Sequence, residues 1–211
     1  MRYSINKFIA TITVVLLAGC ASGPTTTSQG GVPAGGNAKT VVSEVPADVQ
    51  AQYNNAQTLI SVEDYDGASQ ILEPFVLQNP QYPAAATTLA IAWRKLGRSD
   101  DALAMLETML VTHDAFAPGW NEVGILHREA GRFEQAESAY MKAVTVKPDY
   151  ALAHLNLGIL LDLYLARHQQ ALEHYERYQA LQSDEDKMVK RWIADISRRI
   201  KRNTQAAQVA P

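Results

Sequence analysis

Small and large apolar positions recur along this chain at an interval of 34 residues. The clearest unit runs from Ala117 to Tyr150, "APGWNEVGILHREAGRFEQAESAYMKAVTVKPDY". With Ala117 as position 1, Trp120, Val123, Gly124 and His127 fall at 4, 7, 8 and 11. Phe133, Ala136, Tyr140, Ala143 and Pro148 fall at 17, 20, 24, 27 and 32. Apolar residues three and four apart on both sides of a polar, Gly-containing turn predict a hairpin of two amphipathic helices. Small residues at 8 and 20 allow the helices to approach closely, and the large ones fill the surrounding space.

The frame carries along the chain. Position 8 is Ala56, Ala90, Gly124 and Gly158. Position 20 is Ala68, Ala102 and Ala136, with Ala171 one residue late. Position 24 is Leu72, Leu106, Tyr140 and Tyr175, and Tyr82, Phe116 and Tyr150 close their units at position 34. Four units follow, at 49–82, 83–116, 117–150 and 151–185. The fourth carries an extra residue near Leu165-Ala166-Arg167-His168, and Tyr178 where position 27 is otherwise small. The first has Asn55 at position 7 and Pro74 inside its second helix. An interior proline costs about 3 kcal/mol and one backbone hydrogen bond, so that helix is expected to kink or start late. Terminal units lack one neighbour and tolerate such departures.

The stretch "SDEDKMVKRWIADISRRIKR" comes next. Ser183 is the expected N-cap. Asp184, Glu185 and Asp186 at the start, and Arg198, Arg199, Lys201 and Arg202 at the far end, suit the helix dipole. Val189, Trp192, Ile193, Ile196 and Ile200 form an apolar stripe, so 186–202 is expected to cap the stack and 203–211 to be a disordered tail.

The 34-residue unit resembles the tetratricopeptide repeat, and the resemblance covers about two-thirds of the chain. It implies an all-α, right-handed solenoid of four helix–turn–helix repeats plus a capping helix. In peptide-binding relatives, positions 2, 5, 6, 9, 12 and 13 of each first helix face the concave groove. Here the first two repeats would supply Tyr53, Asn54, Gln57, Thr87, Thr88, Ile91, Arg94 and Lys95. The last two would supply Asn121, Glu122, Ile125, Arg128, Glu129, Leu155, Asn156, Ile159 and Asp162. Asparagines can pair with a ligand backbone, and Arg94, Lys95 and Arg128 with acidic groups. The carboxylate clamp of chaperone-binding relatives is not reproduced. The alternative is a merely solvated groove, with binding on the convex face or an edge.

The N-terminal part has a different character. Arg2 and Lys7 precede a short apolar run from Phe8 to Leu17, then Ala18, Gly19 and the single cysteine, Cys20. The run is short of the roughly 20 residues needed to span a bilayer, and it reads as a signal peptide over 1–19. Leu17-Ala18-Gly19-Cys20 resembles a bacterial lipobox. That resemblance implies cleavage before Cys20, lipidation of its thiol and acylation of the new amino group. Ala21 in place of aspartate implies the outer membrane, facing the periplasm. The segment 20–48 is poor in large apolar residues and reads as a flexible linker. Ala21 to Asp48, 28 residues, would average about 30 Å end to end and reach about 90 Å at full stretch.

Candidate chemistry is sparse. The histidines are His113, His127, His154, His168 and His174, with no His-Glu-x-x-His and no pair three to five residues apart. His127 and His154 sit at packing positions 11 and 4. One cysteine closes no internal disulfide, and neither a Gly-rich phosphate loop nor a G-x-S-x-G turn occurs. No catalytic site, metal site or cofactor is expected. The formal charge of −3, which cleavage would move to −5, disfavours nucleic acid as a partner. Residues 184–202 nevertheless carry a net +3 against −8 for 20–183. A basic end suits an acidic partner or phospholipid headgroups, and equally suits dipole complementarity alone.

Anchor and solenoid together resemble the tetratricopeptide pilotins, lipoproteins that help type IV pilus secretins reach and assemble in the outer membrane. The same plan fits an adaptor for peptidoglycan hydrolases or synthases, or an accessory subunit of a proton-channel-driven envelope machine. In each case the partner is an envelope protein, and the lipid provides the membrane contact. Cys20→Ala should leave the chain uncleaved or soluble. Mature Cys20→Ala protein that still fractionates with outer membranes would overturn the lipobox reading.

Overall fold

A computed structural model describes residues 46–209, and Cys20 with the signal and most of the linker lies outside them. The first three helices are α1 (Ala47–Ser61), α2 (Tyr65–Gln78) and α3 (Pro83–Lys95). They are followed by α4 (Ser99–Thr112), α5 (Ala117–Glu129) and α6 (Phe133–Val146). The last three are α7 (Ala151–Leu163), α8 (His168–Ala180) and α9 (Lys187–Val209). No strand occurs among the described residues. Each helix pair packs on the next, and the first helices α3, α5 and α7 are neighbours in turn. The result is an all-α solenoid closed by α9 against α8.

Within each pair the contact is set by a matched choice of residue size. Where position 24 is leucine, position 8 is alanine: Ala56 with Leu72, and Ala90 with Leu106, all fully buried within shared clusters. Where position 24 is tyrosine, position 8 is glycine: Gly124 with Tyr140, and Gly158 with Tyr175. The rings use the space a methyl would take. A Cβ on Gly124 would lie 2.4 Å from Tyr140 Cε1, and one on Gly158 would lie 2.7 Å from Tyr175 Cδ1. Tyr140 and Tyr175 are at most 1 % exposed, so neither ring has solvent to retreat into.

The turns repeat as well. Position 15 lies in the left-handed region in the first three repeats, at Glu63 (φ 62°), Gly97 (φ 81°) and Gly131 (φ 74°). The following N–H groups of Asp64, Arg98 and Arg132 donate five residues back, to Leu59, Trp93 and His127 carbonyls, which closes the first helix. In the fourth repeat Ala166 takes the left-handed role (φ 54°), and Arg167 N–H donates six residues back to Leu161. The inserted residue is thus absorbed in the turn, and α8 regains the frame.

Three expectations need correction. The helix α2 starts at Tyr65, at the same repeat position as α4 and α6, and runs through Pro74 without a break. Pro74 is exposed, so the carbonyl left without a donor can turn to water. Ser183 does not cap α9; Asp186 does, with Oδ1 accepting from Met188 N–H (2.9 Å) and Val189 N–H (3.1 Å). The acids therefore precede the helix rather than occupy its first turn. Finally, α9 does not end at Arg202 but continues through Asn203–Val209, a stretch free of Gly and Pro. Its arginines consequently lie within the helix, not in its last turn.

Gly124→Ala should cost about 1–3 kcal/mol by overpacking against Tyr140. Adding Tyr140→Leu should recover part of that loss, with a coupling of at least about 1 kcal/mol in urea denaturation. Strict additivity of the two substitutions would show that the glycine and the ring do not share one space.

Candidate functional site

The surface formed by the first helices is a seam of polar side chains bonded from one repeat to the next. Tyr53 Oη on α1 and Thr88 Oγ1 on α3 are 3.1 Å apart. Asn156 Nδ2 on α7 donates to Asn121 Oδ1 on α5 at 2.9 Å. Between them Arg94 on α3 donates through Nε to Glu122 and through Nη1 to Glu129 (3.1 Å), both on α5. Positions 5 and 6 of neighbouring repeats thus meet twice, and position 12 crosses the one remaining gap.

This pairing changes the role expected of Arg94. Its side chain is 14 % exposed and that of Glu122 is 4 % exposed. Burial acts to lower the Arg94 value, and Glu122 with Glu129 outweighs it, so the guanidinium is held charged more firmly than usual. Burial pushes the Glu122 carboxyl up, against the pull of Arg94. Removing either partner of such a buried pair costs about 3–5 kcal/mol, because the other charge is stranded. Arg94 therefore holds α3 to α5 and is not free to select an acidic ligand. The seam also uses Thr88, Asn121, Glu129 and Asn156.

Arg128 is different. Its guanidinium is half-buried, and Nε donates to Tyr140 Oη at 3.3 Å. Burial opposes its charge, and the hydroxyls of Tyr140 and Tyr164 offset that. Among the described residues no carboxylate lies within ion-pair distance of it. Burial in turn raises Tyr140 to about 12, despite Arg128 beside it. The Phe133 and Tyr164 rings meet at a tilt of 39° with centroids 4.8 Å apart, and Tyr164 is 42 % exposed. This leaves a cation beside an open aromatic shelf.

The other groove residues are dispersed. Asn54, Gln57 and Lys95 are exposed, Ile91, Ile125 and Leu155 half-buried, and Thr87 and Ile159 buried. Asp162 is engaged by Arg199 of α9 (3.2 Å), with His168 Nδ1 3.5 Å away. A recess of about 340 Å³ lies elsewhere, lined by Glu107, Trp120, His127 and Lys142 among others. No group of three or more metal-ligating side chains occurs among the described residues.

A histidine pair carries no spacing signal in the sequence, because its members are 20 residues apart. His154 Nδ1 and His174 Nδ1 are 3.0 Å apart, and His154 Nε2 is 3.2 Å from the Pro148 carbonyl. A carbonyl only accepts, so Nε2 of His154 carries the proton. Its Nδ1 then accepts, and His174 Nδ1–H donates.

The comparisons can now be placed on this geometry. Residues 59–117 and 117–150 each match the tetratricopeptide repeat. Residues 59–150 are tetratricopeptide repeats. Among solved structures, Pseudomonas aeruginosa pilF superposes with a TM-score of 0.64 at 20% identity, covering 76% of this chain and 72% of that one. TTC0263, a thermophilic tetratricopeptide protein of Thermus thermophilus, gives 0.61 at 24% identity, covering 72% and 82%. MamA of Desulfovibrio magneticus RS-1 gives 0.53 at 22% identity, covering 64% and 75%. These likenesses establish the fold. No curated protein sequence matches the chain. Tetratricopeptide domains bind protein partners, so the seam and the Arg128 shelf are the surfaces of interest.

Burial lowers both histidines of the pair; Arg177 adds to this at His154, and the His154 ring adds to it at His174 while Glu173 opposes. A histidine with a folded value below its unfolded value of about 6.5 stabilises the fold fully only above that pH. The contribution disappears as the pH falls through the depressed value. Thermal stability should therefore drop between pH 7.5 and pH 5, and His174→Gln should make that slope shallower. An unchanged slope in His174→Gln would exclude the pair as its source.

Proposed function

We propose that this chain is a lipid-anchored adaptor on the periplasmic face of the outer membrane. It binds an envelope protein and helps assemble a larger complex, as a pilotin does for a type IV pilus secretin. The observation that carries the binding part is Arg128. It is a half-buried cation with no carboxylate partner in the described residues, set beside Tyr164, whose ring meets that of Phe133. An acidic side chain or a terminal carboxylate of the partner would complete it. The rest of the seam is internally satisfied and presents a fixed, preorganised surface, which lowers the ordering cost of binding.

The anchor rests on the lipobox-like Leu17-Ala18-Gly19-Cys20 and on the linker behind it. The pilotin-like role is supported by that combination and by the shared fold with the pilF structure. The chain would act as a scaffold, by holding its partner near the membrane while the partner inserts or multimerises.

Two measurements test this. In a strain lacking the chain, the pilus secretin should fail to reach or multimerise in the outer membrane. Normal secretin assembly would remove the pilotin-like reading. Arg128→Glu should weaken binding to the isolated partner at least tenfold while the protein stays folded, since a like charge would face the incoming carboxylate. Equal affinity would move the binding site off this shelf.

A further inference from the structure

The helix α9 carries seven Lys/Arg and a single Asp, a net of +6. The whole chain has a formal charge of −3, so everything outside α9 carries −9. This segregation is also angular. At 3.6 residues per turn, Lys187, Lys190, Arg191, Arg198, Lys201 and Arg202 fall within about 120° of arc. All six are exposed. The opposite face holds Val189, Trp192, Ile193, Ile196 and Ile200, every one packed into the core of the last repeats. The Arg199 bond to Asp162 on α7 agrees with this rotation.

Two of the six cations have local partners, Lys190 with Glu185 and Arg198 with Asp195. Lys187, Arg191, Lys201 and Arg202 have no carboxylate within ion-pair distance among the described residues. The ridge is about 22 Å long and straight, because it lies on one face of one helix. Helix-dipole complementarity does not account for it. The cations extend from the first residue of the helix, where positive charge is unfavourable, and the last turn holds none.

We infer that the solvent face of α9 docks on a bilayer surface bearing anionic phospholipid headgroups. The apolar face is already consumed by the fold, so the contact is electrostatic and involves no insertion. The described helices are likewise not long and apolar enough to cross a membrane. A planar array of phosphates matches a straight row of cations, each adding about fivefold to partitioning. The acidic remainder of the chain opposes approach to any polyanion in free solution. A tethered chain is held at the surface regardless, and α9 then orients it, with the acidic bulk pointing away. This orientation rests on the lipid anchor of the proposed function; the charge ridge does not.

Vesicle co-sedimentation of the full chain tests the inference. Wild type should partition onto phosphatidylcholine vesicles with 30 mol% phosphatidylglycerol at least a hundredfold more strongly than onto pure phosphatidylcholine, at about 50 mM salt. About 0.5 M salt should abolish the difference, because screening shortens the reach of the charges. The triple variant Arg191→Gln/Lys201→Gln/Arg202→Gln should lose about a hundredfold on the anionic vesicles only. Inorganic phosphate at matched ionic strength should not displace the wild type, because single anions do not reproduce the array. Equal partitioning on both vesicle types, or an unaffected triple variant, would overturn the inference. So would a triple variant that loses affinity for a short DNA duplex, or for a second copy of the chain, while its vesicle binding is unchanged. A failed anchor reads out separately, as absence of the lipid modification, with the preference for anionic vesicles intact.

Discussion

Everything on this molecule's surface depends on how closely two helices approach within each repeat. That spacing is controlled by one pair of positions, 8 and 24. Alanine against leucine and glycine against tyrosine are two solutions to the same volume problem. In the second solution the ring covers the glycine backbone so tightly that a single added carbon would meet it at 2.4 Å. Protein interiors are packed too densely to absorb such a change without movement. The choice also has a chemical consequence. A leucine at position 24 ends in methyl groups, whereas Tyr140 ends in a hydroxyl that reaches Arg128. The packing solution of the third repeat therefore places a hydrogen-bonding group next to the groove cation.

The polar seam follows from the same spacing. With first helices stacked side by side, positions 5, 6 and 12 of neighbouring repeats come within hydrogen-bond reach. Neutral pairs serve at both ends of the stack, Tyr53 with Thr88 and Asn121 with Asn156. The middle uses charge, and Glu122 is nearly fully covered there. A buried ion pair contributes modestly to net stability, but it penalises any arrangement that separates its members. The seam thus specifies how α3 sits on α5, and with it the shape of the surface a partner meets.

The period was legible in the sequence because small and large residues recur every 34 positions, and the extra residue of the fourth repeat was legible because the frame slips there. The outcome of that slip, a left-handed Ala166, could not be read, since alanine carries no turn signature. The groove positions were legible only as places. What each side chain does was not, because its partner lies 12 to 37 residues away and the choice between ligand and neighbour is made by rotamer and distance. Arg94 and Arg128 occupy the same repeat position and look alike in sequence. Only the structure separates the one that finds two carboxylates from the one that finds two tyrosines. The end of α9 is unmarked in the sequence for a simpler reason: the apolar stripe stops at Ile200, but the helix-compatible composition does not.

The last link joins the cap to the groove. Asp162 stands at position 12 of the fourth repeat, the position held by Arg94 and Arg128 in the second and third. Its charge is opposite, and it takes Arg199 from α9 at 3.2 Å. A lysine or arginine there would have repelled Arg199 of the cap. An aspartate instead accepts it, in step with the apolar stripe that turns five side chains of α9 inward and leaves six cations outward. One acidic residue at one repeat position stands between two positive regions that differ in kind. Arg128 is recessed and single, suited to one carboxylate. The α9 ridge is exposed and multiple, suited to an extended array. Because α5 packs on α7, α7 on α8 and α8 on α9, a partner held at the first and a surface met by the second would be oriented by one continuous stack.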